Sequence, residues 1–449
     1  MTIAPDSSTV KRALSAHAAI GLLAGALLYI VSLSGTIAVF SEEWQRIEQP
    51  VAPEMTSIDP QAVQRGIDAV IASEAGKPRT THLYVHLPVE AVPRTVITTD
   101  TQAVLLDKSG AIVGKEEIAW SDFVAQLHYM LNIPGLFGFI IVGILGVMML
   151  TLSLSGVIAH PRIFRDAFRL RARDKGGLGL ADWHNRMSVW TLPFILAISL
   201  TGALIGTASL TAYGIGATAY KGDTEAVYEP IFGAEGKPDN KAAPVPNVVA
   251  ALDYMARHHP GQRLTYVTLH DPMTAGQHIQ IVGTFKRRLV FGEYYNFDAQ
   301  GRFIGTAGIS DGPVGQQMAA SNYNLHFGNF GGMPVKIAYF VLGMALTAIC
   351  ATGTYIWLGK RERRGIQAPR IRALWDTVVW GSPLILTLTF ILRKTLGNEL
   401  PLVAIFWIGF TIMLVVAWFV VAPGLLARLL KRSLLIALGL GSALAVSGI

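Results

Sequence analysis

The chain has 449 residues, of which 51% are hydrophobic and 15% charged, against about 25% charged in an ordinary soluble domain. That balance excludes a soluble enzyme, a disordered chain and a disulfide scaffold, and it predicts a polytopic α-helical membrane protein. The single cysteine, Cys350, rules out an intrachain disulfide and a cysteine-ligated iron–sulfur cluster.

A hydrocarbon core takes about 20 apolar residues per helix. The first such run, near 18–40, carries His17 and ends in Ser32-Leu33-Ser34-Gly35. Lys11 and Arg12 precede it and no small-x-small cleavage site follows, so residues 1–40 are expected as an N-terminal segment with an uncleaved span. Residues 41–126 then form a first outer domain: helical periodicity from Pro60 to Gly76, strand alternation from Thr81 to Leu87, and a turn at Asp107, Gly110 and Gly114. A second helix is expected over 127–160, opening at Leu127-His128, apolar near 133–159 and ending past Gly156 at His160. The segment 161–183 is a basic loop (Arg162, Arg165, Arg169, Arg171, Arg173, Lys175).

The third span, 184–210, is apolar near 187–210, carries His184 and ends in Ser199-Leu200-Thr201-Gly202. Residues 211–325 form a second outer domain, with a helix from Pro246 to Gly261, a strand from Leu264 to Leu269 and a turn at Asp298, Gly301 and Gly305. Leu325-His326 leads into a fourth span, 326–359, apolar near 334–358. A second basic loop, 360–373, follows (Lys360, Arg361, Arg363, Arg364, Arg370, Arg372). The segment 374–449 holds two or three extra spans, near 374–392, 401–427 and 433–449. Basic loops stay inside, so the N-terminus is expected in the cytoplasm and both outer domains in the periplasm of a Gram-negative host. The net charge of +7 is thus a topology device and not a nucleic-acid footprint.

The elements repeat. His17 precedes Gly35, and His184 precedes Gly202, by 18 residues; His128 precedes Gly156 by 28 and His326 precedes Gly353 by 27. Each half reads helix, small α/β outer domain, helix, which gives a four-helix core from two parallel repeats. Equivalent residues then face each other at equal depth: His17 meets His184 near the cytoplasmic face, and His128 meets His326 near the outer face.

Ionisable side chains at membrane helices are costly and mark function. Two imidazoles facing across a helix bundle are a standard way to hold haem iron, one axial nitrogen each. Two such pairs predict two haem b groups, and without C-x-x-C-H no covalent c-type attachment is expected. The glycine tetrads ending at Gly35, Gly156, Gly202 and Gly353 serve either close helix packing or room for a porphyrin. His160 has Trp357 at its counterpart position, and which two of His17, His160 and His184 ligate the cytoplasmic-side iron stays open. His82 and His86 share a strand face, as a solvated surface or a metal site.

These residues resemble the PepSY-associated transmembrane family, a bacterial inner-membrane group that includes ferric-siderophore reductases such as the ferrioxamine reductase. The resemblance covers about residues 10–365. It rests on His17 with Gly21-Leu22, and on Ser155-Gly156 with His160 and Arg162-Ile163-Phe164-Arg165. Asp182-Trp183-His184-Asn185 with Leu192-Pro193-Phe194 and Thr201-Gly202 adds to it, as does Leu325-His326-Phe327-Gly328 with Gly331-Gly332. Pro161 stands where the family more usually has a basic residue, Trp183 where it has Leu, and the spans after 373 lie beyond its core. The resemblance implies two PepSY-like outer domains on four core helices. For reductase members it also implies haem and reduction of periplasmic ferric siderophores.

The expected activity is therefore a transmembrane electron conduit that reduces a ferric siderophore or other ferric chelate, with a quinol or a cytoplasmic reductase as donor. Tyr129, Asn132, Tyr323, Asn324 and Asn329 are candidate substrate contacts by their nearness in sequence to the outer histidines. A helix of 27 residues is about 40 Å long, so the two iron sites need either an inward lean, other ligands, or bridging aromatics such as Trp190 and Phe137. The alternatives are a non-catalytic PepSY membrane protein that binds or regulates an extracytoplasmic partner, and a transporter.

Overall fold

The computed structural model describes residues 6–160, 162–163, 178–233, 239–285, 287–419 and 424–447. Most of the first basic loop, from Arg165 to Lys175, and Pro161 lie outside the described residues. The chain divides into two compact units, one of residues 1–41, 119–209 and 333–449, the other of 42–118 and 210–332.

In the first unit and among the described residues, six helices are long and apolar enough to cross a membrane: Ser7–Ala38, Leu136–Ala159, Gly332–Glu362, Pro369–Leu396, Leu402–Phe419 and Leu425–Ser447. The chain is thus a multi-pass helical membrane protein with three spans after the four-helix core. Asp6 starts the first helix by accepting the Ser8 and Thr9 amides on its carboxylate, which satisfies donors that an open helix end leaves bare.

The third span departs from the single helix expected over 184–210. It is a pair, Leu178–Trp190 and Leu192–Gly206, bent by 68°. Pro193 has no amide for the turn before it, and its ring crowds that turn, so the helix stops and restarts with proline in its first turn. The helices expected over 127–160 and 326–359 are also divided. His128 lies on Ala119–Met130, separated from Leu136–Ala159 by Leu131 and Asn132, both left-handed at φ 54° and 55°. His326 lies on Val314–Phe327, which Gly328 closes in the left-handed region, and the span starts only at Gly332. The last span starts at Leu425, before the expected 433.

Small residues bring the core helices together, as they must where lipid removes the hydrophobic drive for association. A β-carbon on Gly146 would stand 2.9 Å from the Ala203 nitrogen, and one on Gly343 would stand 2.6 Å from the Thr36 hydroxyl oxygen. Gly146 corresponds to Gly343 in the duplication, and Ala203 to Thr36, so this is one contact made twice. The extra helices pack on the first span: Trp375 lies against Gly25, and the Tyr29 hydroxyl donates to the Val379 carbonyl at 2.7 Å.

In the second unit, β1(His82–His86), β2(Thr95–Thr98), β3(Ala103–Leu106), β4(Ile112–Lys115), β5(Arg263–His270), β6(His278–Thr284), β7(Gly292–Phe297) and β8(Phe303–Thr306) form one antiparallel sheet. Its order is β4-β3-β2-β1-β5-β6-β7-β8. The two expected outer domains are therefore halves of a single sheet, joined at β1 and β5, where Leu83 pairs with Leu269 and Val85 with Val267.

Strand side chains alternate between faces. Leu83, Val85, Val267, Leu269, Ile279 and Ile281 point to one face and are fully buried. There they share a core with Val63 and Ile67 of helix Pro60–Ser73 and with Val248 and Met255 of helix Val248–His258. The turns repeat as well: the Asp107 carboxylate accepts the Ala111 amide and that of Asp298 accepts the Arg302 amide. Gly110 and Gly301 occupy the left-handed region at φ 86° and 75°.

Candidate functional site

Three of the four expected histidines lie in the first unit, and each is held the same way. The Nδ1–H of His128 donates to the Val31 carbonyl at 2.9 Å, and that of His17 to the Leu152 carbonyl at 3.0 Å, with the Ser155 hydroxyl beside it at 3.2 Å. His184 Nδ1 donates to the Thr352 hydroxyl at 2.9 Å and also bonds the Ile349 backbone. The Thr352 hydroxyl gives its own hydrogen to Ala348, so it can only accept from the ring.

Val31, Leu152 and Ile349 each stand four residues before a tetrad glycine, and each ring lies over that glycine. A β-carbon on Gly35 would meet His128 Cε1 at 2.5 Å, one on Gly156 would meet His17 at 3.3 Å, and one on Gly353 would meet His184 at 3.6 Å. Three tetrads thus make room for an imidazole, an occupant that neither sequence expectation named. A carbonyl only accepts, so the proton sits on Nδ1 in the neutral ring, and Nε2 keeps its lone pair. An anchored Nδ1 with a basic Nε2 is how metal-bound histidines are oriented, so the donor set fits axial ligation of haem iron.

His160 caps helix Leu136–Ala159 and is exposed, and it lies near both His17 and His184. The three residues therefore share one end of the unit. His326 stands on the second unit, its ring 5.7 Å from Phe327.

The turn after Met130 corrects the distance expected between depths. It folds His128 back onto the first helix at Val31–Gly35 rather than leaving it at the end of the second span. Along Ser7–Ala38 the ring sits about 16 residues from His17, or about 24 Å at 1.5 Å per residue. Trp190 and Phe137 do not bridge that interval, being 52% and 75% exposed on the outside of their helices. Phe194 on the third span and buried Tyr339 on the fourth pack edge to face at 5.2 Å.

The candidate substrate residues divide by task. Tyr129 stacks on Phe139 at 5.1 Å. The Asn132 amide donates to the Phe123 carbonyl and locks the left-handed turn. In the second unit, buried Asn324 donates to the Arg288 carbonyl, Tyr323 lies 6.1 Å from Phe327, and Asn329 is exposed. Asn132 and Asn324 thus fix backbone.

A group missed in sequence lies on the sheet face opposite the core. There His82 pairs with His270 and His270 with His278, in register across β1, β5 and β6, with ring centroids 5.0 and 4.2 Å apart. Burial and the two neighbouring rings push His270 down to about 3. His86 lies on the same face 4.7 Å from Tyr266, and burial lowers it to about 4. Among the described residues no three of His, Cys, Asp and Glu converge as a metal cluster, so the expectation of a His82–His86 metal site gains no ligand set. The signal was available only in register: His82 and His86 alternate with Leu83 and Val85, but their partners are nearly two hundred residues away.

Comparison with known proteins gives two findings. The model of the PepSY-associated TM region matches residues 14–360. An uncharacterized protein of Pseudomonas aeruginosa is 28% identical over 258 residues, which is 54% of this chain. The matched stretch spans 64% of that relative's length.

Proposed function

The chain belongs to the family of the PepSY-associated TM region, and we propose that it is an inner-membrane electron conduit that reduces a periplasmic ferric siderophore or other ferric chelate. One observation carries this reading: His17, His128 and His184 each give Nδ1–H to the backbone or hydroxyl of a glycine-bearing helix, the tautomer whose lone pair lies on Nε2.

His128 and His326 would hold one haem b, and two of His17, His160 and His184 the other. Each group, when bound, supplies a one-electron redox centre. The residues of the chain do the rest. The carbonyls of Val31, Leu152 and Ile349 fix ring orientation and tautomer, and the glycines seat the imidazoles between helices, away from water. Histidine pairs would hold each group through two imidazole nitrogens, a donor set that would suit electron transfer.

The polar sheet face with His82, Tyr84, His86, Tyr266 and His270 is the best candidate surface for the chelate, since its side chains offer rings and hydrogen bonds. The substrate iron gains one electron from a quinol or a cytoplasmic reductase. Fe²⁺ has lower charge density than Fe³⁺ and suits hard oxygen donors less well, so the chelate loosens. The basic residues from Lys360 to Arg372 on the far side of the fourth span support a cytoplasmic N-terminus and periplasmic outer domains.

The test is a reduced-minus-oxidised visible spectrum of the purified full chain. Two low-spin b-type components are expected, one lost in His128→Ala and in His326→Ala, the other in His184→Ala. The reduced protein should then be reoxidised by ferric chelates without oxygen. A folded, colourless protein would overturn the reading in favour of a non-catalytic binding role.

A further inference from the structure

Between the C-terminal spans and the fourth span lies an open cavity of about 1050 Å³. Tyr355 and Trp380 line it, together with the cations Arg363, Arg372, Arg428 and Lys431 and the carboxylates Glu362 and Asp376. The four cations outnumber the two carboxylates, and both carboxylates are engaged. Arg372 lies 3.7 Å from Glu362 and 3.7 Å from Asp376, and the Tyr355 hydroxyl donates to Asp376 at 2.7 Å. The positive surplus therefore falls on the opposite wall, where Lys431 Nζ sits 4.4 Å over the Trp380 ring and Arg428 follows Gly424. Trp380 belongs to a π-helical turn, Thr377–Gly381, a distortion that helices keep mostly at functional sites.

Three further cation–ring contacts lie nearby in these helices: Arg361 over Trp357, Arg370 over Trp418 and Arg372 over Tyr355. Tryptophan, tyrosine and basic side chains at the ends of spans mark the headgroup layer. Basic pockets between spans at that level suit anionic headgroups. Leu425 and Leu429, exposed on the last helix beside Arg428, offer apolar surface for acyl chains.

We propose that this cavity binds an anionic phospholipid, its phosphodiester held by Arg428 and Lys431. The inference does not depend on the haem reading, because none of these residues is among the proposed ligands.

The experiment places the full-length protein in nanodiscs of phosphatidylcholine with a minor fraction of phosphatidylglycerol, and counts lipids retained on release by native mass spectrometry. Wild type should retain phosphatidylglycerol at least tenfold over its share. The double variant R428Q/K431Q should lose that preference, with unchanged thermal unfolding. A K11Q/R12Q control, with the same loss of charge outside the cavity, should keep it. Three results would overturn the proposal: no preference in the wild type, an undiminished preference in R428Q/K431Q, or release of the lipid by millimolar inorganic phosphate, which would make this a small-anion site. If R428Q/K431Q unfolds, the single variant R428Q decides by the same readout.

Discussion

His128 lies so close over Gly35 that a β-carbon there would stand 2.5 Å from its Cε1 and 2.6 Å from its Nδ1. The ring cannot retreat without giving up the Val31 carbonyl at 2.9 Å. Gly35→Ala should therefore displace His128 and cost about 1–3 kcal/mol as an overpacking change. Gly353→Ala should be nearly silent, because its β-carbon meets His184 at an ordinary 3.6 Å. Thermal unfolding of the two variants, with their visible spectra, checks the contrast; equal effects would sink it.

Thr352→Val removes the hydroxyl that accepts from His184 Nδ1. The expected loss is about 1 kcal/mol of stability, with a shifted midpoint potential for the component that depends on His184. Thr352→Ser should restore both. A potential that does not move would show that the hydroxyl leaves the ring's basicity untouched.

His160 is exposed and caps a helix end, whereas His17 and His184 are anchored through Nδ1. The geometry favours the anchored pair as ligands. His160→Ala should keep both spectral components, and His17→Ala and His184→Ala should each lose the same one. If His160→Ala bleaches that component instead, the ligand pair must be redrawn.

Acid should destabilise the outer sheet. Burial holds His86 at about 4, and burial with His278 and His82 holds His270 at about 3, against about 6.5 for a free ring. Below pH 6.5 the unfolded chain binds protons that the folded chain refuses. Stability is thus whole above that pH and is lost as pH falls toward 4. At pH 5 the loss is about 2 kcal/mol per ring. Hydrogen exchange of β5 and β6 in the full chain should quicken between pH 7 and 5, and less so in His270→Gln. A flat profile would refute the coupling.

Glu293 is 2% exposed and accepts the amides of Tyr294, Gly308 and Ser310 together with the Ser310 hydroxyl. Charge-assisted bonds of this kind are each worth about 1.5–3 kcal/mol. Glu293→Ala should cost at least about 2 kcal/mol and free the turn after β8, read as faster amide exchange at Gly308 and Ser310. Unchanged exchange there would contradict it.

The spans and the repeat were readable in the sequence, since hydropathy and spacing carry them directly. The bend at Thr191 was signalled by Pro193 but hidden inside an apolar run that satisfies a membrane at either angle. Pairing of β1 with β5 was not readable: edge-to-edge addition depends on which strands are left bare once each half has folded. The histidine anchors were hidden because their acceptors are mostly backbone carbonyls, which every residue has. Their constant place, four residues before a tetrad glycine, appears only when rings and helices are seen together.

The ladder that joins Leu83 to Leu269, with the glycine seam made once at Gly146 and again at Gly343, bears on how such a chain arose. A gene with a single copy would encode a product with a bare strand edge in one unit and an unmatched seam in the other. Both gaps close at once when two such products meet. In the duplicated chain each half thus supplies the strand edge and the seam residue that the other half lacks.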